Sequence, residues 1–269
     1  MQTSQDRWFL LGDLHGDAAP IDLFYWDNRD RLNLDDGNNH IILLGDVGAN
    51  FALKGLRDQR FKKALSQYPF TYICLRGNHE SRVQNVINGN PRGWKQEHKY
   101  GGTIYVEKKY PKIEYLSDVP AVYEFAGYKT LSIPGAYSVD KWYRLSHKWT
   151  WFADEQLTEE EMELGRVLKK TEAPFDLVIS HTCPWFYMPT DLFLPGLDQS
   201  TVDNTMERYL GELEYDLDYK RWAWGHYHAD RLYPWVDGKE KLMLFNEKVV
   251  DLRKFMEMRE TGTLREILA

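Results

Sequence analysis

The stretch FTYICLRGNHES, residues 70–81, decides how the chain is read. Its first six residues are apolar and rich in aromatic and β-branched side chains, the length and composition of a buried strand. The run stops at Arg-Gly-Asn-His-Glu, which places an asparagine and a histidine just past the point where a core strand would end. In open α/β sheets, ligands bind beyond the carboxyl ends of the strands. Chemically capable groups directly after a strand therefore mark a candidate site.

The same pattern recurs along the chain. Apolar runs at 8–11, 40–44, 130–133, 175–180 and 221–224 are followed by GDLHGD, GDVGAN, PGAYSVD, HTCP and GHYH. Between them lie expected helices: one over 53–68, and one opening at Thr158, where Glu161 three residues on completes a capping box. Strands alternating with helices predict an α/β fold with much parallel pairing. The late runs LYPWV and KLMLFNEKVVDL are expected as antiparallel additions.

Composition bounds the reading. The 269 residues are 43% hydrophobic and 28% charged, enough to bury a sizeable core. A net charge of −7 excludes a protein whose whole surface is built for nucleic acid. Two cysteines, Cys74 and Cys183, make no disulfide framework and are expected to stay thiols. Neither a secretory leader nor an apolar run of transmembrane length is visible, so a cytoplasmic protein with no membrane association is expected. No repeat or linker divides the sequence, and a single domain over 1–269 is expected.

The polar residues at the strand ends are Asp13, His15, Asp46, Asn78, His79, His181, His226 and His228, and they include five of the eight histidines. Imidazole nitrogens mixed with carboxylate and amide oxygens suit Zn, Fe or Mn rather than a thiolate-type structural zinc. Each element alone is weak: a lone histidine such as His181 is more often a core or surface residue, and Gly-Asp suits any turn. The ordered series carries the weight.

That series, D-x-H, G-D, G-N-H-E, a lone His and G-H-x-H, resembles the calcineurin-like metallophosphoesterases over most of the chain, from Asp13 to His228. The resemblance implies a two-sheet α/β/β/α sandwich and two divalent metal ions, manganese first, with Fe, Zn or Mg as alternatives. It assigns Asp13, His15 and His228 to one metal, Asn78, His181 and His226 to the other, and Asp46 as the bridge. A water between the metals is the implied nucleophile, and His79 the implied general acid. The implied activity is phosphoric ester hydrolysis, first of monoesters such as a phosphoprotein, nucleotide or small phosphoester. A phosphodiesterase or nuclease is the second reading, and a non-catalytic metal-binding module the third.

The sequence departs from the family in its second block, often G-D-x-x-D-R-G, where Ala49 and Asn50 stand in place of an acid and an arginine. Asp17 and Asp140 are candidates to orient His79. Arg144, Arg82, Arg76 and Asn50 are candidates to meet substrate phosphate, Arg144 first because its segment follows the fourth strand. The segment GAYSVDKWYRL with WTWFADEQ resembles small bacterial and phage members. Residues 92–112 hold six Lys/Arg against two Glu, with aromatics between, so binding of single-stranded nucleic acid is a further expectation, beside the plainer one of a solvated strand pair. Trp185, Phe186 and Tyr187, in the long run 181–196, are expected to wall the cleft or close the core. His40 and His98 are expected to be solvated, and His147 to lie near the fourth turn.

Overall fold

The structure is a computed structural model that describes residues 6–193, 200–236 and 238–269. Its strands are β1 (Arg7–Leu11), β2 (Asn39–Leu43), β3 (Phe70–Cys74), β4 (Trp94–Lys99), β5 (Gly102–Glu107), β6 (Ile113–Tyr115), β7 (Ala121–Phe125), β8 (Tyr128–Ile133), β9 (Phe175–Ser180), β10 (Tyr219–Trp224), β11 (Arg231–Leu232), β12 (Glu240–Met243) and β13 (Val250–Asp251). One sheet has the order β13-β1-β2-β3-β6-β5-β4, the other β11-β12-β10-β9-β8-β7.

Alternation along the strands builds the layers. On β1 and β2, Trp8, Leu10 and Ile42 face the interior between the sheets, where they meet Leu177, Ile179 and Ala223 of the second sheet. Their neighbours Phe9, Leu11, Ile41 and Leu43 point outward. There they are covered by α1 (Ala19–Asn28), through Ile21 and Phe24, and by α2 (Arg57–Leu65), through Phe61 and Leu65. On the far side Val178, Trp222 and Trp224 pack against Met162 of α5 (Glu159–Glu172), and against Leu210 and Leu213 of α6 (Thr205–Asp216). This is the expected sandwich of two sheets between two helical layers. α3 (Val83–Gly89) and α4 (Lys141–Ser146) are short, and α7 (Leu252–Glu257) and α8 (Leu264–Ile267) close the chain.

Three expectations are corrected. The helix expected over 53–68 begins only at Arg57, because Leu53 and Gly55 both take left-handed backbone (φ 57° and 76°). The Asp58 carboxylate stabilises that turn by accepting from the backbone N–H of Ala52 and Leu53. Of the late additions, β11 and β13 are antiparallel, but β12 runs parallel to β10 and lies inside the sheet. The short antiparallel β11 reverses the chain first, so β12 can return in the direction of β10. His40 is not solvated: its ring stacks on Trp8 with centroids 4.1 Å apart, and burial pushes its pKa down to about 4.

Candidate metal centre

Strand register brings the site together. Leu11 lies opposite Leu43, and Leu43 opposite Cys74, so the parallel strands β1, β2 and β3 end level and release Asp13, Asp46 and Asn78 side by side. In the second sheet β9 and β10 also end level, with Ile179 opposite Ala223, and release His181, His226 and His228. The sheets are tied at this end by Gly12 N–H to the Phe245 carbonyl (3.0 Å) and His181 Nδ1–H to the Leu44 carbonyl (2.7 Å).

All seven expected metal ligands converge. His181 Nε2 faces Asn78 Oδ1 at 3.0 Å and Asp46 Oδ1 at 3.3 Å. His15 Nε2 lies 2.9 Å from His228 Nε2, and the His226 and His181 rings are 5.0 Å apart. Asp13 Oδ2 accepts from the His226 backbone N–H at 2.9 Å, and Asp46 Oδ1 from that of His79 at 2.8 Å. Two clusters have donor atoms within 4.8 Å of one another: Asp13, Asp46 and His181, and His15, Asp46 and His79. Asp46 is common to both, the position a bridging carboxylate would need.

The local backbone is strained in favour of this arrangement. His15, Asp46, His226 and His228 all adopt left-handed φ, between 47° and 73°. Non-glycine residues rarely do so, and such outliers cluster at functional sites. Two glycines permit the close approach: a Cβ on Gly45 would stand 2.1 Å from His181 Nδ1, and one on Gly77 2.1 Å from Asp46 Oδ1.

The electrostatics fit divalent cations. Burial holds His15 down at about 4 and also lowers His226 and His228, so these imidazoles keep free lone pairs. Burial raises Asp13 to about 7 and opposes ionisation of Asp46, but His181, His79 and His15 keep Asp46 well below the usual carboxylate range. Burial likewise disfavours charge on His181, yet Asp46, Asp13 and the Leu44 carbonyl outweigh it and raise it to about 9. Two enclosed carboxylates thus call for compensating positive charge, and the donor set suits a cation that accepts nitrogen and oxygen ligands.

Around these ligands stand groups that sequence reasoning did not identify. Asn78 Nδ2 donates to Ser138 Oγ (3.0 Å), which donates to Glu155 Oε2 (2.5 Å), while Glu155 Oε1 accepts from Ser138 N–H (2.9 Å). A carboxylate only accepts, so the serine donates to it and must accept from Asn78, which turns Asn78 Oδ1 toward His181. Glu80 accepts from Gly48 and Gly77 N–H and is pushed up to about 8 by burial and Asp46. Its place in the RGNHE turn was a signal; nothing in sequence joins Ser138 to Glu155.

His79 lies on the wall of an open cleft of about 710 Å³, together with His15, His228 and Arg144. Arg144 Nη2 is 2.7 Å from His79 Nε2, and Arg144 Nε pairs with Asp140 (2.7 Å), whose other oxygen is 4.0 Å from His79 Nε2. An Asp-Arg pair, absent at Ala49 and Asn50, therefore enters from α4. Burial, helped by Arg144, holds His79 below its ordinary pKa, against the pull of Asp46 and Asp140.

Other expected residues are placed elsewhere. Asn50 is buried and accepts from Lys62 Nζ (2.7 Å), and Arg82 pairs with Glu161 and bonds the Asp154 carbonyl. Arg76 donates to the Glu155 carbonyl, and Asp17 caps Ala19 N–H. Each of these side chains is spent on structure away from the cleft. Trp185 and Phe186 line a separate groove over α6, and Tyr187 packs on Trp224. The run turns away over that helix, and its residues 194–196 lie outside the described ones. The basic stretch 92–112 spans the β4–β5 hairpin, where Lys95 pairs with Glu97 and Lys99 with Glu114. His98 is exposed, as expected, and His147 packs on Tyr143 rather than lining the cleft. Cys74 and Cys183 are both buried thiols, and no helix among the described residues is long and apolar enough to cross a membrane.

Comparison with known proteins gives a likeness in fold and a family. No curated protein matches. Among solved structures, the protein TT1561 of Thermus thermophilus is 13% identical over 93% of this chain and 96% of its own, with a TM-score of 0.52, a likeness in fold. A dimetal phosphatase from Danio rerio is 10% identical over 92% and 93%, with a TM-score of 0.47. The model of the calcineurin-like phosphoesterases matches residues 7–230, the span that holds all seven candidate ligands and His79. The chain therefore belongs to the calcineurin-like phosphoesterase family, metal-dependent phosphoric ester hydrolases that bind two divalent ions.

Proposed function

We propose that the protein is a phosphomonoesterase that works with two manganese ions held by Asp13, His15, Asp46, Asn78, His181, His226 and His228 in one domain. When bound, such ions supply Lewis acidity and a water of lowered pKa. The observation that carries the monoester reading is Arg144, whose guanidinium stands 2.7 Å from His79 at the wall of the cleft. A forked cation beside a proton carrier suits a terminal phosphate, which presents several free anionic oxygens. A diester presents fewer.

The roles follow from placement. Arg144 grips the phosphate, its Nε held by Asp140 and its Nη1 by the Thr150 carbonyl so that Nη2 is directed at His79 on the cleft wall. In the structure Arg144 Nη2 donates to the imidazole. Once phosphate oxygens take that donor, the His79 Nε2 lone pair is free to take a proton from water in the cleft and pass it to the leaving oxygen. Asp46 fixes the His79 backbone through its N–H, which keeps that ring beside the ligands.

The test compares kcat/KM for p-nitrophenyl phosphate and its bis ester with Mn²⁺, with Asp46→Asn as background. A monoester preference is expected. A diester preference would replace this reading with that of a phosphodiesterase.

A further inference from the structure

Beyond His79 and Arg144 the same cleft is lined by Phe51, Arg57, Lys148 and Trp149. Its volume of about 710 Å³ falls within the roughly 300–1,000 Å³ of sites that hold organic ligands, far more than one phosphoryl group fills. Something larger than phosphate fits there.

The lining has two kinds of group. Trp149 is 58% exposed, and its ring is supported edge-on by Tyr143, 5.5 Å away. Its backbone N–H donates to the Arg144 carbonyl (2.8 Å), while Arg144 Nη1 donates to the Thr150 carbonyl (3.1 Å). The tryptophan is thus held at a set distance from the arginine that faces His79. Phe51, on the loop after β2, is approached by Arg57 and Arg144 at 5.3 and 5.7 Å from its ring.

The second kind is cationic. Among the described residues, Arg82, Arg144 and Arg231 all pair with carboxylates, but neither Arg57 nor Lys148 forms an ion pair. Lys148 also stands in left-handed backbone, φ 56°, a conformation that costs stability at a residue other than glycine. Two uncompensated cations and two aromatic faces therefore border a cavity that ends at a phosphoester centre.

We propose that this outer cleft is a nucleotide subsite, a reading that rests on the hydrolase function above and names its substrate class. The base stacks on Trp149 or Phe51, and phosphates other than the one attacked meet Arg57 and Lys148. A nucleotide carries its planar face and its extra charges covalently beside the scissile phosphate. A phosphopeptide would supply them only where its own sequence did.

Calorimetric titration of the full chain, both loaded with Mn²⁺ and stripped by chelator, with ADP, AMP, glycerol phosphate, a phosphoserine peptide and a 5′-phosphorylated oligothymidylate, tests the subsite. ADP is expected to bind at least about tenfold tighter than glycerol phosphate in both states. Trp149→Ala should cut the ADP preference by roughly 5- to 150-fold, the range of one stacked base, and Trp149→Phe should retain most of it. Arg57→Ala and Lys148→Ala should weaken ADP more than AMP. A preference for the oligothymidylate would support the same subsite and make its natural occupant a strand end. Equal binding of ADP and glycerol phosphate, indifference to Trp149→Ala, or preference for the peptide would overturn the proposal. Ester turnover without base preference would sink the subsite alone; Trp149-dependent ADP binding without any turnover would sink the hydrolase reading alone.

Discussion

Replacing Ser138 by alanine probes the chain of donors behind Asn78. Asn78, Ser138 and Glu155 are all nearly inaccessible to water, at 3%, 1% and 2% exposure. Loss of the hydroxyl leaves the Asn78 amide N–H and Glu155 Oε2 without their bonds of 3.0 and 2.5 Å. An unsatisfied buried group costs about 1–3 kcal/mol. The amide can escape that cost by rotating, which would turn its NH₂ toward His181 and the cation. Holding the original orientation would then cost the same 1–3 kcal/mol, a factor of roughly 5 to 150 in metal affinity, which brackets the 10- to 100-fold loss usual when a group supporting a ligand is removed. Glu155→Gln tests the polarity of the chain, since an amide can donate to Ser138 and let the serine donate to Asn78 instead. Calorimetric titration of the stripped variants with Mn²⁺ should show one weakened ion, with the second close to wild type. Wild-type affinity for both ions in Ser138→Ala, with the fold intact by circular dichroism, would refute this account of how Asn78 is oriented.

Other outcomes follow from the same geometry. Asp46→Asn should lower kcat by roughly a hundredfold or more, because in the proposed site this carboxylate would hold both ions, whose combined effect is worth several kcal/mol; steady-state kinetics at saturating Mn²⁺ measure it. Arg144→Ala should cut kcat/KM by about 10- to 150-fold, the equivalent of one charge-assisted hydrogen bond of about 1.5–3 kcal/mol. Arg144→Lys should not restore it, because a point charge cannot reproduce the fork. Gly77→Ala would place a methyl group 2.1 Å from Asp46 Oδ1 and 2.3 Å from its backbone nitrogen, so metal binding should fall and the melting temperature of the stripped chain should fall with it. Removing metal with chelator should lower the melting temperature, since ligands bound only by the native state add about 2.7 kcal/mol at a hundredfold excess over Kd; an unchanged melting temperature would mean that the site contributes nothing to the fold.

The apolar runs and the polar turns after them were legible in one dimension because buried strands must be apolar and must stop where chemistry begins. Asp13, His15, Asp46, Asn78, His79, His181, His226 and His228 could be picked out for that reason, and their order carried the family. Arg144 was reachable as well, since its segment follows β8. The substitutes for the pattern were harder to place. Arg82 and Asn50 stood behind Arg144 as candidates to meet phosphate, and only packing shows that Glu161 and Lys62 already occupy them. The reversal of β12 depends on the two-residue β11, too short to carry a periodicity of its own.

Residue type and spacing alone indicated that seven donor side chains stand just past the ends of apolar strands, because that pattern is local. Tertiary structure decided what faces them. Ser138 meets Asn78 only after the chain has folded back over 60 residues, and Glu155 meets Ser138 from 17 residues further on, while Asp140 and Arg144 reach His79 only because α4 packs at the cleft. Trp149, Arg57, Phe51 and Lys148 likewise share a wall without sharing a motif. Spacing along a chain reports what each strand delivers, whereas the distances between deliveries are set by how two sheets pack, and no local pattern encodes that.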